Sequence, residues 1–472
     1  MYYDLTRGKI SRSLILFALP MIAGNLLQQF YNIADTLIVG RVLGSNALAA
    51  VGSSYTLMTF LTSIFLGLSM GAGALFSIYQ GRKDLSSLKL SILHAFLLIL
   101  AVTLVLNLAV YAGIEPILTF LRVPDEVRPG MRTYLLIIFA GLIATSVYNF
   151  FSCMLRALGN SSVPLIFLAV SAVLNIALDL LFVAVLPFGI AGAALATVLA
   201  QYVSAVGILL YVLLRCRMWL PSKKEWRFSH SILKEILNLS SMTCIQQSVM
   251  NFGILMVQGL VNSFGTVIMA AFAAAVKIDS FAYMPVQDFG NAFSTYVAQN
   301  YGAGQTDRIR KGILQGLVMA AIIGVCSVGL GLLLTIDGAY LHIFLSADKV
   351  TADTIRFGNH FLYVDFSMYL LLCFLFVIRN CVQGIQRAPF VLWAGASELI
   401  ARVAICLTLP ALLSGGVVSA QSPELAFYAL CAADPLAWLA ADLALLLPFF
   451  KNMMHMNYQY LYGGVEQHLL GK

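Results

Sequence analysis

Residues 14–39 read LILFALPMIAGNLLQQFYNIADTLIV, and the fold class follows from how that stretch is taken. An apolar helix of about 20 residues crosses the hydrocarbon core of a bilayer. This run is longer than that, follows Arg7, Lys9 and Arg12, and carries Pro20, Asn25, Gln28 and Asp35. It is too long and too polar for the apolar core of a signal peptide, so it reads as a first span that is retained. Comparable runs recur near 52–80, 89–113, 131–156, 162–186, 190–214, 233–261, 268–299, 313–335, 356–386, 389–412 and 424–450. The composition agrees. Hydrophobic residues make up 60% and charged residues 10%, against about a quarter charged in a soluble domain. There is too little charge to cover a water-facing surface, and lipid is the solvent that accepts what remains. The expected fold is an all-α membrane protein with twelve transmembrane helices in two pseudo-symmetric six-helix lobes.

Basic residues give the orientation. With the N-terminus in the cytoplasm, the cytoplasmic connections hold Arg82, Lys83, Lys89, Arg156, Arg215, Arg217, Lys223, Lys224, Arg227, Arg308, Arg310 and Lys311. Roughly 20 of the 28 Lys and Arg then fall inside, as the positive-inside rule requires. The predicted location is the inner or plasma membrane, multi-pass, with both termini cytoplasmic. The net charge of +7 therefore reads as topology rather than as a nucleic-acid surface. The basic stretch from Arg215 to Ser231, with Pro221, marks a division into residues 1–220 and 221–472.

The two halves repeat. Leu43-Gly44-Ser45-Asn46-Ala47-Leu48-Ala49-Ala50 returns as Phe264-Gly265-Thr266-Val267-Ile268-Met269-Ala270-Ala271. Tyr79-Gln80-Gly81-Arg82-Lys83-Asp84 returns loosely at Tyr301 to Asp307, and Gly159 to Pro164 at Gly384 to Pro389. Six spans per copy is an even number, so the copies share an orientation. That is the parallel repeat of transporters, which pivots around a central cleft; a channel or a membrane enzyme has no need of it.

A charge at mid-membrane costs about 2.5–3.5 kcal/mol on insertion scales, so each intramembrane acid needs a reason. Gly24, Gln28, Tyr31, Asn32 and Asp35 fall on one face of the first span, and Pro20 invites a bend in it. Asn175 and Asp179 share a face of the fifth span. Asp179 lies eight residues before the turn Pro187-Phe188-Gly189 and Thr197 eight residues after it, which puts them at equal depth on antiparallel neighbours. Asp35, Asn175, Asp179 and Thr197 are therefore expected to converge. Two acids buried side by side do not both keep a full charge, so the group suits a proton or a desolvated hard cation such as sodium. The plainer reading is inert polar contacts between helices.

These residues resemble a family. Tyr31-Asn32-Ile33-Ala34-Asp35-Thr36-Leu37-Ile38-Val39-Gly40 with Ala47 to Gly52, Asn175 to Asp179 with Gly192 to Thr197, and Gln299-Asn300-Tyr301-Gly302-Ala303-Gly304 are similar to the first, fifth and sixth, and eighth spans of the multidrug and toxic compound extrusion (MATE) family. The resemblance implies cation-coupled antiport, against protons or sodium, that exports small organic compounds of cationic or amphipathic character by alternating access. By position it implies a coupling cluster at Asp35, Asn175, Asp179 and Thr197, and a helix bend at Pro20. Some members carry a glutamate in span 7 for a second cation site; this chain has Gln246-Gln247 there, with Asp365 in span 10 matching that site's partner.

Cavity candidates are Gln28, Tyr31, Asn32, Tyr148, Gln201, Gln247, Asn251, Lys277, Asp279 and Asp365, with Gln258 and Asn262 continuing the polar stripe of span 7. Glu398 and Arg402 stand at i and i+4 and should pair; a Lys277–Glu398 contact is a further expectation, and Asp434 has no explanation at this level. No catalytic residue, metal or cofactor is expected beyond the coupling ion: the eight cysteines show no CxxC spacing, and there is no Asp-rich motif of the kind a prenyl transferase needs. Expected partners are small organic substrates and membrane lipids, with no nucleic acid and the chain a monomer. A flippase of lipid-linked oligosaccharides is the alternative on the same architecture. It would want a basic cavity, and only Lys277 and Arg402 count as intramembrane cations in this reading.

Overall fold

The computed structural model describes residues 3–120, 125–222, 225–344, 350–419 and 421–469. Among them every regular element is helical. Eleven helices are long and apolar enough to cross a membrane, and a twelfth span is a bent pair. Spans 1 to 6 are Ile10–Leu43, Ser45–Arg82, Leu85–Ala112, Arg128–Ala157, Ser162–Val185 and Gly189–Arg215. Spans 7 to 12 are His230–Val261, Thr266–Gly302, Thr306–Thr335, Ala352–Ser367 with Tyr369–Gly384, Ala388–Ser414, and Glu424–Lys451. The outward faces are apolar. Leu108, Val173, Leu314 and Leu447 are exposed, Leu447 to 81%, a surface that only lipid covers without penalty.

The repeated sequence runs have a shared geometric cause. Span 1 turns into span 2 through the single residue Gly44, at φ 84° and ψ −174°. Span 7 reaches span 8 through Gly265, at φ 98° and ψ 171°. That corner of backbone space is essentially reserved for glycine, so each copy keeps its glycine at the same tight reversal. Lys83 and Gly304, at the end of the second helix of each copy, both take the left-handed conformation. Span 1 runs as one helix across Pro20.

By its contacts the chain forms two compact units. The first comprises Met1–Leu5 and Ile15–Ile245; the second comprises Thr6–Leu14 and Gln246–Lys472. The division falls inside span 7 rather than in the preceding linker, and the reason lies on span 2. A Cβ at Gly67 would sit 2.5 Å from Cys244 Cα, and one at Gly71 2.5 Å from Ser240 Cα. The glycines let the two backbones touch, and Ser240 Oγ donates to Leu68 O at 2.9 Å. The linker is tied to span 3: Lys89 Nζ donates to Glu225 Oε1 at 3.0 Å and Ser229 N to His94 Nε2 at 3.0 Å.

Within the first unit, span 2 packs on spans 3 and 4, and span 6 on spans 4 and 5. Their core includes Val39, Phe65, Leu135, Phe139, Val183 and Ala194. Span 4 is interrupted by a 3-10 turn at Phe139–Gly141. Side chains from neighbouring spans take the loosened carbonyls: Asn107 Nδ2 donates to Phe139 O at 2.7 Å and Tyr202 Oη to Ala140 O at 2.9 Å. In the second unit span 8 packs on spans 9 and 10, and span 12 on spans 10 and 11. Span 10, the counterpart of span 4, bends by 49° around Met368. Interruptions at matching places in two repeats are a pointer to binding sites in transporters.

Candidate functional site

Asp179 is the last α-helical residue of span 5. The chain then widens into a π-helical stretch, Leu180–Val185, with Leu186 N donating to Leu181 O at 2.7 Å. Such turns are rare and concentrate at functional sites. Span 6 packs along this end of span 5, so the depth matching read from the sequence becomes a contact: Asn175 Nδ2 donates to Thr197 Oγ1 at 3.4 Å, and Thr197 Oγ1 donates to Ala193 O at 3.1 Å. Span 1 brings the Asp35 carboxyl beside that of Asp179. Asp179 is fully buried and Asn175 nearly so.

The donor count gives the cluster its chemistry. Among the described residues no N–H or O–H reaches either oxygen of Asp179, Oδ1 of Asp35 or Oδ1 of Asn175. Buried acceptors normally find donors, and carboxyl and amide oxygens left without one suit a bound positive charge. The buried Tyr134 lies within electrostatic range of both acids, and Tyr31 within range of Tyr134. Tyr134 was missed in the sequence because a tyrosine in an apolar run gives no signal of its own.

The sequence profile of the MatE family matches residues 20–181 and again 240–408. The chain belongs to the MatE family. Both copies of the repeat are matched, and a MatE protein is an efflux transporter of the membrane. The "Probable multidrug resistance protein YpnP" of Bacillus subtilis (strain 168) is 34% identical over 310 residues, which is 65% of this chain and 68% of that protein. The "Probable multidrug resistance protein YoeA" of the same organism is 28% identical over 412 residues, 84% of this chain and 85% of that one. A solved MOP superfamily transporter from Pyrococcus furiosus Vc1 shares the fold, with a TM-score of 0.87 at 20% identity over 96% of this chain and 98% of that one.

The other candidate residues of this MatE transporter divide by position. Gln28 is exposed and Asn32 half-buried on span 1, with Asn32 Nδ2 donating to Gln29 Oε1 at 3.5 Å. Tyr148 is spent on structure, donating from Oη to Pro164 O at 3.0 Å. Gln201 packs its amide carbon 3.3 Å from where a Cβ on Gly141 would stand, at the interruption of span 4. Gln247 and Asn251 are half-buried on span 7, and Lys277 is exposed. The side chains of Gln258 and Asn262 and all of Lys223 and Lys224 lie outside the described residues.

The second unit brings together acids that the sequence left scattered. Asp279 of span 8 and Asp365 of span 10 lie against each other, with Asp434 of span 12 within electrostatic range of both. Thr266 to Asp279 and Ala352 to Asp365 are each 13 steps along a helix, about 20 Å at 1.5 Å per residue. Neither oxygen of Asp365 accepts a hydrogen bond among the described residues. Glu398 pairs with Arg402 as expected, with Nη2 donating to Oε1 at 3.2 Å. Its other oxygen takes Arg379 Nη2 at 2.5 Å. The inventory of intramembrane cations thus needs correcting: Arg379, on span 10, is only 4% exposed. Asp434 gains its explanation too, since Arg402 Nε donates to its Oδ1 at 2.7 Å.

Proposed function

We propose that this transporter exports small organic compounds, cationic or amphipathic, in exchange for protons or sodium bound at Asp35 and Asp179. The observation that supports the reading is the pair itself: the fully buried Asp179 and the half-buried Asp35 side by side, with Asn175 and Thr197 beside them and no donor from the described residues reaching Asp179. Two adjacent acids in a low-dielectric site hold one positive charge far more readily than none. The oxygens suit a shared proton, and equally a hard cation with oxygen ligands.

In this account the protein alternates between states open to either side of the membrane. Cation binding neutralises the pair and favours one state; substrate favours the other. Export is driven because the two ligands bias the same equilibrium in opposite directions. The orientation that fits places both termini in the cytoplasm, in the inner or plasma membrane, with the chain acting as a monomer alongside lipid.

Asp35→Asn keeps the shape and removes the charge. Ethidium efflux from cells carrying this variant should fall to the level of cells without the transporter, while its abundance in the membrane fraction stays unchanged. Undiminished efflux would remove the proposal. Parallel assays with ethidium and with a lipid-linked oligosaccharide separate the export reading from a flippase.

A further inference from the structure

In the second unit, Asp434, Arg402, Glu398 and Arg379 form one chain of ion pairs that alternates in sign and closes at neutrality. Beyond its end lies an acid with no share in it. Asp442 is 4% exposed and eight residues further along span 12 than Asp434, about 12 Å down the helix. Neither of its oxygens receives a hydrogen bond among the described residues, and Arg379 Nε has no acceptor among them. Asp442 and Arg379 lie within electrostatic range of each other. The guanidinium has a donor to spare at Nε, while Nη2 goes to Glu398 and Nη1 only to the Met250 thioether at 3.4 Å.

We propose that Asp442 is a proton-binding site of the second unit, with Arg379 as the group that responds to its occupancy. A charged Asp442 would leave the buried cluster with three acids against two guanidiniums, and an unbalanced buried charge is costly. A proton taken from water onto an Asp442 oxygen restores the balance. With the proton on, Arg379 is committed to Glu398, as in the structure. With it off, Arg379 turns its Nε–H to the Asp442 carboxylate and Glu398 is left to Arg402. One proton therefore decides whether span 10 is tied to span 11 or to span 12.

The charged groups facing Asp442 fit this role. Arg379 of span 10 and Glu398 of span 11 act on it directly. Arg402 and Asp434 are one link further along the chain. Asp365 of the outer segment of span 10 is grouped with Asp279 and Asp434 instead. The charged residues of span 9, Asp307, Arg308, Arg310 and Lys311, are confined to the first turns of that helix. The site does not depend on Asp35 and Asp179 being the coupling pair.

Infrared difference spectroscopy of the full-length protein in lipid tests the assignment. The protein at neutral pH should show a protonated-carboxyl C=O band that shifts on ¹³C-aspartate labelling, disappears on raising the pH, and is missing from Asp442→Asn. Asp35→Asn should retain that band. Glu398→Gln keeps every aspartate but frees Arg379 for Asp442 and balances the cluster without a proton, so the same band should vanish there as well. That variant also decides the matter if Asp442→Asn does not fold. A spectrum of Asp442→Asn superposable on that of the unaltered protein, or a band that survives Glu398→Gln, overturns the proposal.

Discussion

Asp179 is fully buried, and among the described residues nothing donates to its oxygens; in the proposed cycle its state is set by Asp35 and by the cation the pair takes up. Asp179→Asn should leave a folded protein that binds dye yet no longer changes its dye affinity with pH or sodium, as measured by fluorescence titration of the purified protein. Tyr134→Phe should act more mildly. It keeps the buried ring beside the pair and removes one polar atom, a change of about 1 kcal/mol, read as a several-fold shift in the cation concentration at half-maximal export. Gly44 makes a different kind of residue-level claim. A Cβ there meets nothing within 4 Å, so any cost of Gly44→Ala comes from the backbone alone, about 1–3 kcal/mol. Thermal denaturation should show a lowered Tm for Gly44→Ala and none for Gly52→Ala, which is equally uncrowded but lies inside span 2.

Among the elements, spans 2 and 7 illustrate how small residues replace the hydrophobic effect where the solvent is itself apolar. Gly71→Ala places a methyl 2.5 Å from Ser240 Cα and 2.7 Å from Leu239 O. The helices must separate, at about 1–3 kcal/mol, and the variant should unfold at lower temperature. The linker offers a pH test outside the membrane. Ser222 N–H and then Lys89 hold the Glu225 carboxyl from its usual 4.5 down to about 2. The folded value is the lower one, so the tie is complete above 4.5 and is lost as the pH falls through about 2. Carboxyl NMR of Glu225 should titrate near 2, and Lys89→Ala should move that midpoint upward.

Helix lengths explain what was legible beforehand. Twelve spans followed from apolar runs, and Asn175, Asp179 and Thr197 from counting residues either side of a short turn, because depth along a helix is linear in sequence. Asp279 and Asp365 carried the same signal, 13 residues into each helix, but using it required knowing that spans 8 and 10 are neighbours. Arg379 went unread because its partners, Glu398 and Met250, come from other spans.

At the scale of the whole molecule, the account is of a duplicated chain matched in both copies by one family, with an acid pair in each unit differently placed. Asp35 and Asp179 join spans 1 and 5; Asp279 and Asp365 join spans 8 and 10. The two units share their tight glycine reversals but not the placement of their acids. The central claim is that a positive ion at Asp35 and Asp179 drives export. Proteoliposomes with proton and sodium gradients imposed independently test it most directly. Ethidium should be transported against its gradient when one of the two ion gradients is present, and Asp179→Asn vesicles should show none under either. Equal transport with both gradients collapsed, or gradient-driven transport by the variant, would contradict the account.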